Sequence, residues 1–389
     1  MNIGIIDADL IGAKKHRFPN LASMKISAYN KNLGNDVKLI TTYDEDFSQY
    51  DDIYLSKVFT ATEVPQNVIE LPNIHCGGTG FFYDKAPPLK EEIEHCMPDY
   101  HLYDEWISTI VERERERERK VSLSQFKYYT DYSIGFTTRG CFRKCPFCVN
   151  QKYDHVFKHS SLCEFYDSSR KKICLLDDNI LGFKDWKAVF DELNSTGKKF
   201  QYRQGMDERL LTKEKCQVLF SSNYDGDYTF AFDNIADYDL IHRKLEMIME
   251  YSQKQCRFYV LVAFDRDGKY DDEFWKNDIF DCMKRCELLL KYKCIPYVMR
   301  FEKFKESPYV SLYNTIASWS NQPSFVKKCS LIDFGVLSEK CGSHAMARSV
   351  KEFCEKYPQF EYYANMKWGD FNKNINVEEK IIDRKYRSK

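Results

Sequence analysis

Apolar residues open the chain in short runs separated by amphipathic stretches. Asn2-Ile3-Gly4-Ile5-Ile6-Asp7 reads as a buried strand, Leu21 to Leu33 as a helix, and Val37–Ile40 and Asp52–Val58 as two further strands. Asn73 to Gly80 reads as a strand running into a glycine turn. Strands alternating with helices predict a parallel, doubly wound, Rossmann-like domain over residues 1–105. Such sheets take ligands at the carboxyl ends of their strands.

The rhythm then breaks at Glu112-Arg113-Glu114-Arg115-Glu116-Arg117-Glu118-Arg119-Lys120. On a helix this alternation sets opposite charges at i,i+3 but like charges at i,i+4, so its support is mixed. Following Asp104-Glu105-Trp106-Ile107, it predicts a helix fading into a solvated linker over residues 106–128. From there strand-like runs recur at Ser133–Thr137, Lys172–Asp177, Phe200–Gln204, Tyr228–Phe232, Arg257–Phe264 and Cys294–Phe301. Helical stretches such as Trp186–Leu193, Leu240–Met249 and Phe274–Lys291 lie between them. Six β/α units predict a partial (β/α)6 barrel over residues 129–305, with its chemistry at the strands' carboxyl ends. Residues 306–389 read as a helical extension, with Ser311–Trp319 and Ala345–Tyr357 as helices and a charged tail from Lys380.

A net charge of −1 supplies no global field for nucleic acid or an anionic membrane. Neither a signal peptide nor an apolar run of membrane-spanning length is present, which predicts a cytoplasmic protein. Fifteen cysteines are many, but most are scattered singly and read as small core hydrophobes in a reducing compartment.

Three of them are not scattered. Cys141, Cys145 and Cys148 lie within eight residues, directly after the first barrel strand and on the predicted active face. Three thiolates on one loop can hold three irons of a four-iron cluster and leave the fourth open. Arg143 and Lys144, inside the loop, favour ionised thiols. Two other readings use the same loop: a zinc site completed by His155, His159 or Cys163, and a closed electron-transfer cluster completed by Cys163 or Cys174.

The Cys-x3-Cys-x2-Cys spacing, with Phe147 before the last cysteine, resembles the signature of the radical S-adenosylmethionine (radical SAM) superfamily. The phrases Thr138-Arg139-Gly140-Cys141, Gln204-Gly205-Met206-Asp207-Glu208-Arg209 and Phe230-Ala231-Phe232-Asp233-Asn234 resemble members that carry a cobalamin-domain-like amino terminus. The resemblance implies a [4Fe-4S] cluster on Cys141, Cys145 and Cys148, with S-adenosylmethionine chelating the open iron and yielding a 5′-deoxyadenosyl radical. It implies Phe147 beside the adenine, Asp177, Asp178 and Asn179 near the methionine end, and an electron donor such as flavodoxin or ferredoxin. Helix capping is the structural alternative for the Asp-Asp-Asn trio. Gln204 and Arg209 are candidates for ribose or substrate carboxylate, with Arg–acid pairing as the alternative for Arg209. Asp233 ends the fourth barrel strand on the same polar rim.

Base-off cobalamin domains carry Asp-x-His-x-x-Gly after the first strand. Here the matching residues are Asp7-Ala8-Asp9-Leu10-Ile11-Gly12, so a carboxylate stands where a cobalt-ligating imidazole is needed. His16 lies nearby as a substitute, and Gly77-Gly78-Thr79-Gly80 resembles the turn that admits the nucleotide tail. These residues favour a degenerate domain that caps the barrel or binds substrate. A cobalamin-dependent methylase is the alternative, as is a non-catalytic iron–sulfur or zinc module. Cys282 with Cys286, or Cys329, Cys341 and Cys354, could form an auxiliary site, but no compact motif groups them.

Overall fold

A computed structural model describes residues 1–12 and 18–373. His16 and the charged tail lie outside the described residues. The chain forms two compact units. The first comprises Met1–Asp178 with Glu192–Gln201; the second comprises Asn179–Asp191 with the chain from Tyr202 onward. The fold is mixed α/β with parallel sheets.

The first unit opens with β1 (Asn2–Asp7), β2 (Asp36–Ile40), β3 (Asp52–Ser56) and β4 (Ile74–Gly77), all parallel in the order β2-β1-β3-β4. Central β1 is buried from Ile3 onward, which is why its sequence is a nearly unbroken apolar run. The helix Leu21–Asn32 is capped by Asn20, whose Oδ1 accepts from the Ser23 amide at 3.1 Å. Met24 and Ile26 from this helix pack with Ile3, Ile5 and Tyr103 in one core cluster. Strand β3 stops at Ser56, short of the predicted Val58, because the Asp9 carboxylate takes the Val58 amide at 2.7 Å and draws the chain out of the ladder.

The charged helix spans Asp104–Glu116, and it is docked as well as charged. Trp106, Ile107, Ile110 and Val111 pack against the Ile3–Tyr103 cluster. The apolar residues that precede and enter the Glu/Arg run fall on one helix face, and the largely exposed run itself carries the chain out of the helix at Glu116. Around the same helix end, Glu114 receives Arg117 at 3.5 Å and Arg119 at 3.8 Å.

The cysteine loop belongs to this unit. Strand β5 (Tyr132–Gly135) is followed by β6 (Thr138–Arg139), which pairs antiparallel with β7 (Phe157–Lys158). The loop therefore hangs from a short ribbon that closes its base. Next come β8 (Lys172–Leu175) and β9 (Lys199–Tyr202), giving a sheet ordered β5-β8-β9. Edge strand β5 has a side-chain substitute for its missing neighbour: the Tyr100 hydroxyl accepts from the Ile134 amide at 2.8 Å and donates to the Phe165 carbonyl at 2.6 Å. Buried Arg170 donates to the Tyr100 carbonyl at 2.7 Å and the Tyr129 carbonyl at 2.5 Å, tying the same segment down.

The second unit contains β10 (Tyr228–Ala231), β11 (Cys256–Val262) and β12 (Ile295–Arg300), parallel in that order. A parallel bridge between Met206 and Phe230 adds to its β10 edge. All six strands predicted over residues 129–305 form, grouped by hydrogen bonding as β5-β8-β9 and β10-β11-β12. Helices follow at Val310–Ser320, Leu331–Lys340 and His344–Lys356, the first of them carrying the fully buried Trp319.

Candidate metal centre

The cysteine loop is shaped by backbone constraints at its base. Gly140, immediately before Cys141, sits at φ +88°, a conformation that favours glycine, and a Cβ there would lie 2.4 Å from the His155 carbonyl oxygen. The tip is closed by Lys144, whose Nζ donates to the carbonyls of Gln151, at 2.8 Å, and Tyr153. Its ammonium therefore organises the loop. Two backbone amides point at sulfur: Arg143 N–H at Cys141 Sγ and Asn150 N–H at Cys148 Sγ, each at 3.4 Å. Amide donors of this kind stabilise anionic sulfur and tune clusters held by it. Among the described residues no three His, Cys, Asp or Glu side chains stand together as a site for a single ion. A four-iron cluster does not require that, since each of its three protein thiolates binds a different iron. The donor set, three half-buried thiols on one loop with N–H groups directed at two of them, fits such a cluster.

The carboxylates that follow β8 are committed to this loop. Buried Asp177 accepts from the Thr137 amide and hydroxyl at 2.9 and 2.6 Å, and from the Thr138 amide and hydroxyl at 2.7 Å each. Burial pushes its carboxyl up to about 6, an effect these four bonds oppose. Asp178 spans the loop's ends, accepting from the Gly140 amide at 2.7 Å and from Asn150 Nδ2 at 2.8 Å. Both residues brace the cysteine loop. Phe147 is half-buried, and its carbonyl accepts from the Tyr83 hydroxyl at 3.2 Å.

The other predicted site residues lie in the second unit. Asn179 is buried and Gln204 is exposed. Arg209 pairs with Asp207 at 2.6 Å and Asp237 at 3.0 Å, the acid-paired arrangement foreseen as its alternative. Asp233 is half-buried and accepts from the Leu261 amide at 3.2 Å. Burial raises its carboxyl to about 6, opposed chiefly by the charge of Arg285. Within each unit these residues are assembled as described, Asp177 and Asp178 with the cysteines, and Arg209 with its two acids.

The alternative fourth ligands have other partners. His155 meets Asp154 at 2.5 Å, Cys163 meets Ser161 at 3.0 Å, and Cys174 is wholly buried between strands. His159 stacks on His95 at 5.3 Å and approaches Glu94 at 3.5 Å; burial, then the charge of Arg139, pushes its ring down to about 4. Glu164 is held down at about 2 against the opposing effect of burial, by His95 at 2.6 Å and the Ser161 amide. Cys282 and Cys286 are core residues of the helix Asp272–Lys291. Sequence reasoning did not weigh Arg139 or Asn150, although both flank the cysteines.

In the amino-terminal sheet, Asp9 is buried and accepts from the Val58 amide at 2.7 Å and the Thr62 hydroxyl at 2.5 Å. It is a structural brace and does not fit the part of a cobalt ligand. Asp7, also buried, accepts from the Tyr103 hydroxyl at 2.9 Å, and burial raises its carboxyl to about 7. No helix among the described residues is long and apolar enough to cross a membrane.

No family model matches the sequence, and no curated protein does. Solved structures that match include the aqua-cobalamin-bound form of OxsB, a cobalamin-dependent S-adenosylmethionine radical enzyme, and its selenomethionine-labelled apo form. Each is 13% identical to this chain, with TM-scores of 0.36 and 0.34. Each match covers 91% of this chain and 56% of the OxsB chain, so the chain spans little more than half of OxsB's length. At that distance the functional reading rests on the cysteine loop itself.

Proposed function

We propose that this chain is a radical SAM enzyme whose Cys141, Cys145 and Cys148 hold a [4Fe-4S] cluster. The supporting observation is the three-thiol loop, closed at its base by β6 and β7 and braced at both ends by one carboxylate, Asp178. Bound there, the cluster with S-adenosylmethionine on its open iron supplies reductive cleavage of the cofactor to a 5′-deoxyadenosyl radical. The chain's part is positional. Asp177 fixes the approach to the loop, Lys144 closes its tip, and the Arg143 and Asn150 amides face two of the sulfurs. An electron donor of the flavodoxin or ferredoxin type completes the system. A cobalt ligand is not proposed, because Asp9 is already engaged by the Val58 and Phe59 amides and the Thr62 hydroxyl.

The test is anaerobic reconstitution with iron and sulfide, then reduction in the presence of S-adenosylmethionine, with 5′-deoxyadenosine as the readout. Wild type is expected to form it, and the variant with Cys141, Cys145 and Cys148 all changed to Ala is not. A colourless protein holding one zinc and forming no deoxyadenosine would sink the proposal.

A further inference from the structure

The first unit contains a cavity of about 710 Å³. It reaches from Ser56 and Gly77, at the carboxyl ends of β3 and β4, to Arg139, Asn150 and Phe157 beside the cysteine loop. Strands β3 and β4 are parallel neighbours, and open α/β sheets bind ligands outside the carboxyl ends of their strands. Its volume falls within the range of small-molecule sites.

One wall group is unsatisfied. The Arg139 guanidinium lies over the Phe136 ring, 4.0 Å from its centroid, so its plane is fixed. Its Nε is buried without a hydrogen-bond partner, and Arg139 makes no ion pair among the described residues. Nε is closed off from the cavity, and the terminal N–H donors of the guanidinium form the fork that suits a flat oxyanion. The neighbouring His159, pushed down to about 4, is neutral at neutral pH, so Arg139 is the charged member of that pair; Lys90 and Lys152 add two further cations to the wall. Among the wall's acids, Glu94 is held by Lys25 at 2.8 Å, and Glu91 has its side chain 91% exposed. That leaves Asp84 to oppose an anion, against the positive charge of Arg139, Lys90 and Lys152. The remaining wall includes Tyr54, Phe136 and Phe157, a lining for a flat apolar body.

We propose that this cavity binds a small organic anion, an aromatic or similarly flat body bearing a carboxylate or phosphate, with Arg139 as the anion's partner. Its place beside the cysteine loop makes that anion the substrate class, an assignment that rests on the enzyme reading; the binding itself does not.

The test is titration calorimetry on the full chain with benzoate, phenyl phosphate, benzamide and inorganic phosphate as probes. Benzoate or phenyl phosphate is expected to bind, and the tighter of the two identifies the head group. Benzamide and inorganic phosphate are expected to bind at least about tenfold more weakly, since each lacks one half of the recognised chemistry. Arg139→Gln is expected to weaken binding by about tenfold or more. So is Gly77→Phe, which fills the cavity from a position where an added Cβ meets nothing within 4 Å and leaves Arg139 and the cysteine loop unchanged. Iron loading of Gly77→Phe is expected to match wild type. Absence of binding by both aromatic anions, equal binding of benzamide, or undiminished binding by Gly77→Phe would each overturn the site. A wild type that binds the anion but never loads iron would overturn the enzyme reading alone.

Discussion

Replacing Gly140 by Ala places two separable costs on the residue that leads into Cys141. The first is conformational: at φ +88° a side chain costs roughly 1–3 kcal/mol. The second is collision, because the new Cβ would stand 2.4 Å from the His155 carbonyl oxygen, a backbone atom held in the ribbon between β6 and β7. A backbone atom cannot rotate away as a side chain can, so the loop itself must move. The cheapest movement lifts residues 140–148 away from His155 and breaks the 2.7 Å bond from the Gly140 amide to Asp178. Together these terms come to about 3 kcal/mol or more against the wild-type loop conformation, roughly a hundredfold in its population. The assay is iron and acid-labile sulfide per chain after anaerobic reconstitution, beside the thermal midpoint. Gly140→Ala is expected to fall towards the level of the variant lacking the three cysteines, with only a modest change in midpoint. Gly197→Ala is the control: its φ is +67° and its Cβ meets nothing within 4 Å, so it carries strain without collision. Full iron and sulfide on Gly140→Ala would refute the claim that the base of the loop sets the metal site.

Three further outcomes follow from contacts described above. Asp178→Ala should lower iron loading by removing the acceptor of two bonds, each worth roughly 1.5–3 kcal/mol when fully buried and less at this half-exposed site; loading equal to wild type would show that the brace is dispensable. Asp7 has a folded pKa of about 7 against 3.8 ordinarily, so its favourable contribution is fully present below about pH 4 and is lost as pH rises to about 7. In urea titrations Asp7→Asn should therefore gain on wild type across that window, by up to roughly 4 kcal/mol; a gain already present at about pH 4 would exclude this origin. Arg209→Ala should cost roughly 2–3 kcal/mol of stability by uncovering buried Asp207, with iron loading intact; lost loading at unchanged stability would contradict its structural assignment.

The strands and the cysteine loop were legible because their signals are local. Apolar runs such as Ile3 to Ile6 specify buried strands, and three cysteines within eight residues require no tertiary knowledge to be recognised. What could not be read was the direction in which polar side chains spend their bonds. Asp177 and Asp178 were visible as polar residues after β8, yet their partners lie about forty residues earlier, at Thr137, Thr138 and Gly140. Arg209 looked available for a ligand, but Asp237, 28 residues away, meets it from beyond β10. The docking of the Glu/Arg helix at its start was hidden for a similar reason. Its charges dominate the composition, while the apolar face that docks it is set by Trp106, Ile107, Ile110 and Val111.

The Tyr100 hydroxyl makes the amino-terminal segment and the cysteine-bearing sheet inseparable as units of inheritance. It precedes residue 105, where the sequence suggested a domain boundary, yet it covers the open edge of β5 through Ile134 and holds Phe165. A chimaera that exchanged everything before that boundary for an unrelated cap would leave β5 with a bare edge next to its metal loop. If the cavity binds the proposed anion, variation in that preference is channelled into side chains facing it, because wholesale replacement of the cap would dismantle the strand that launches the loop.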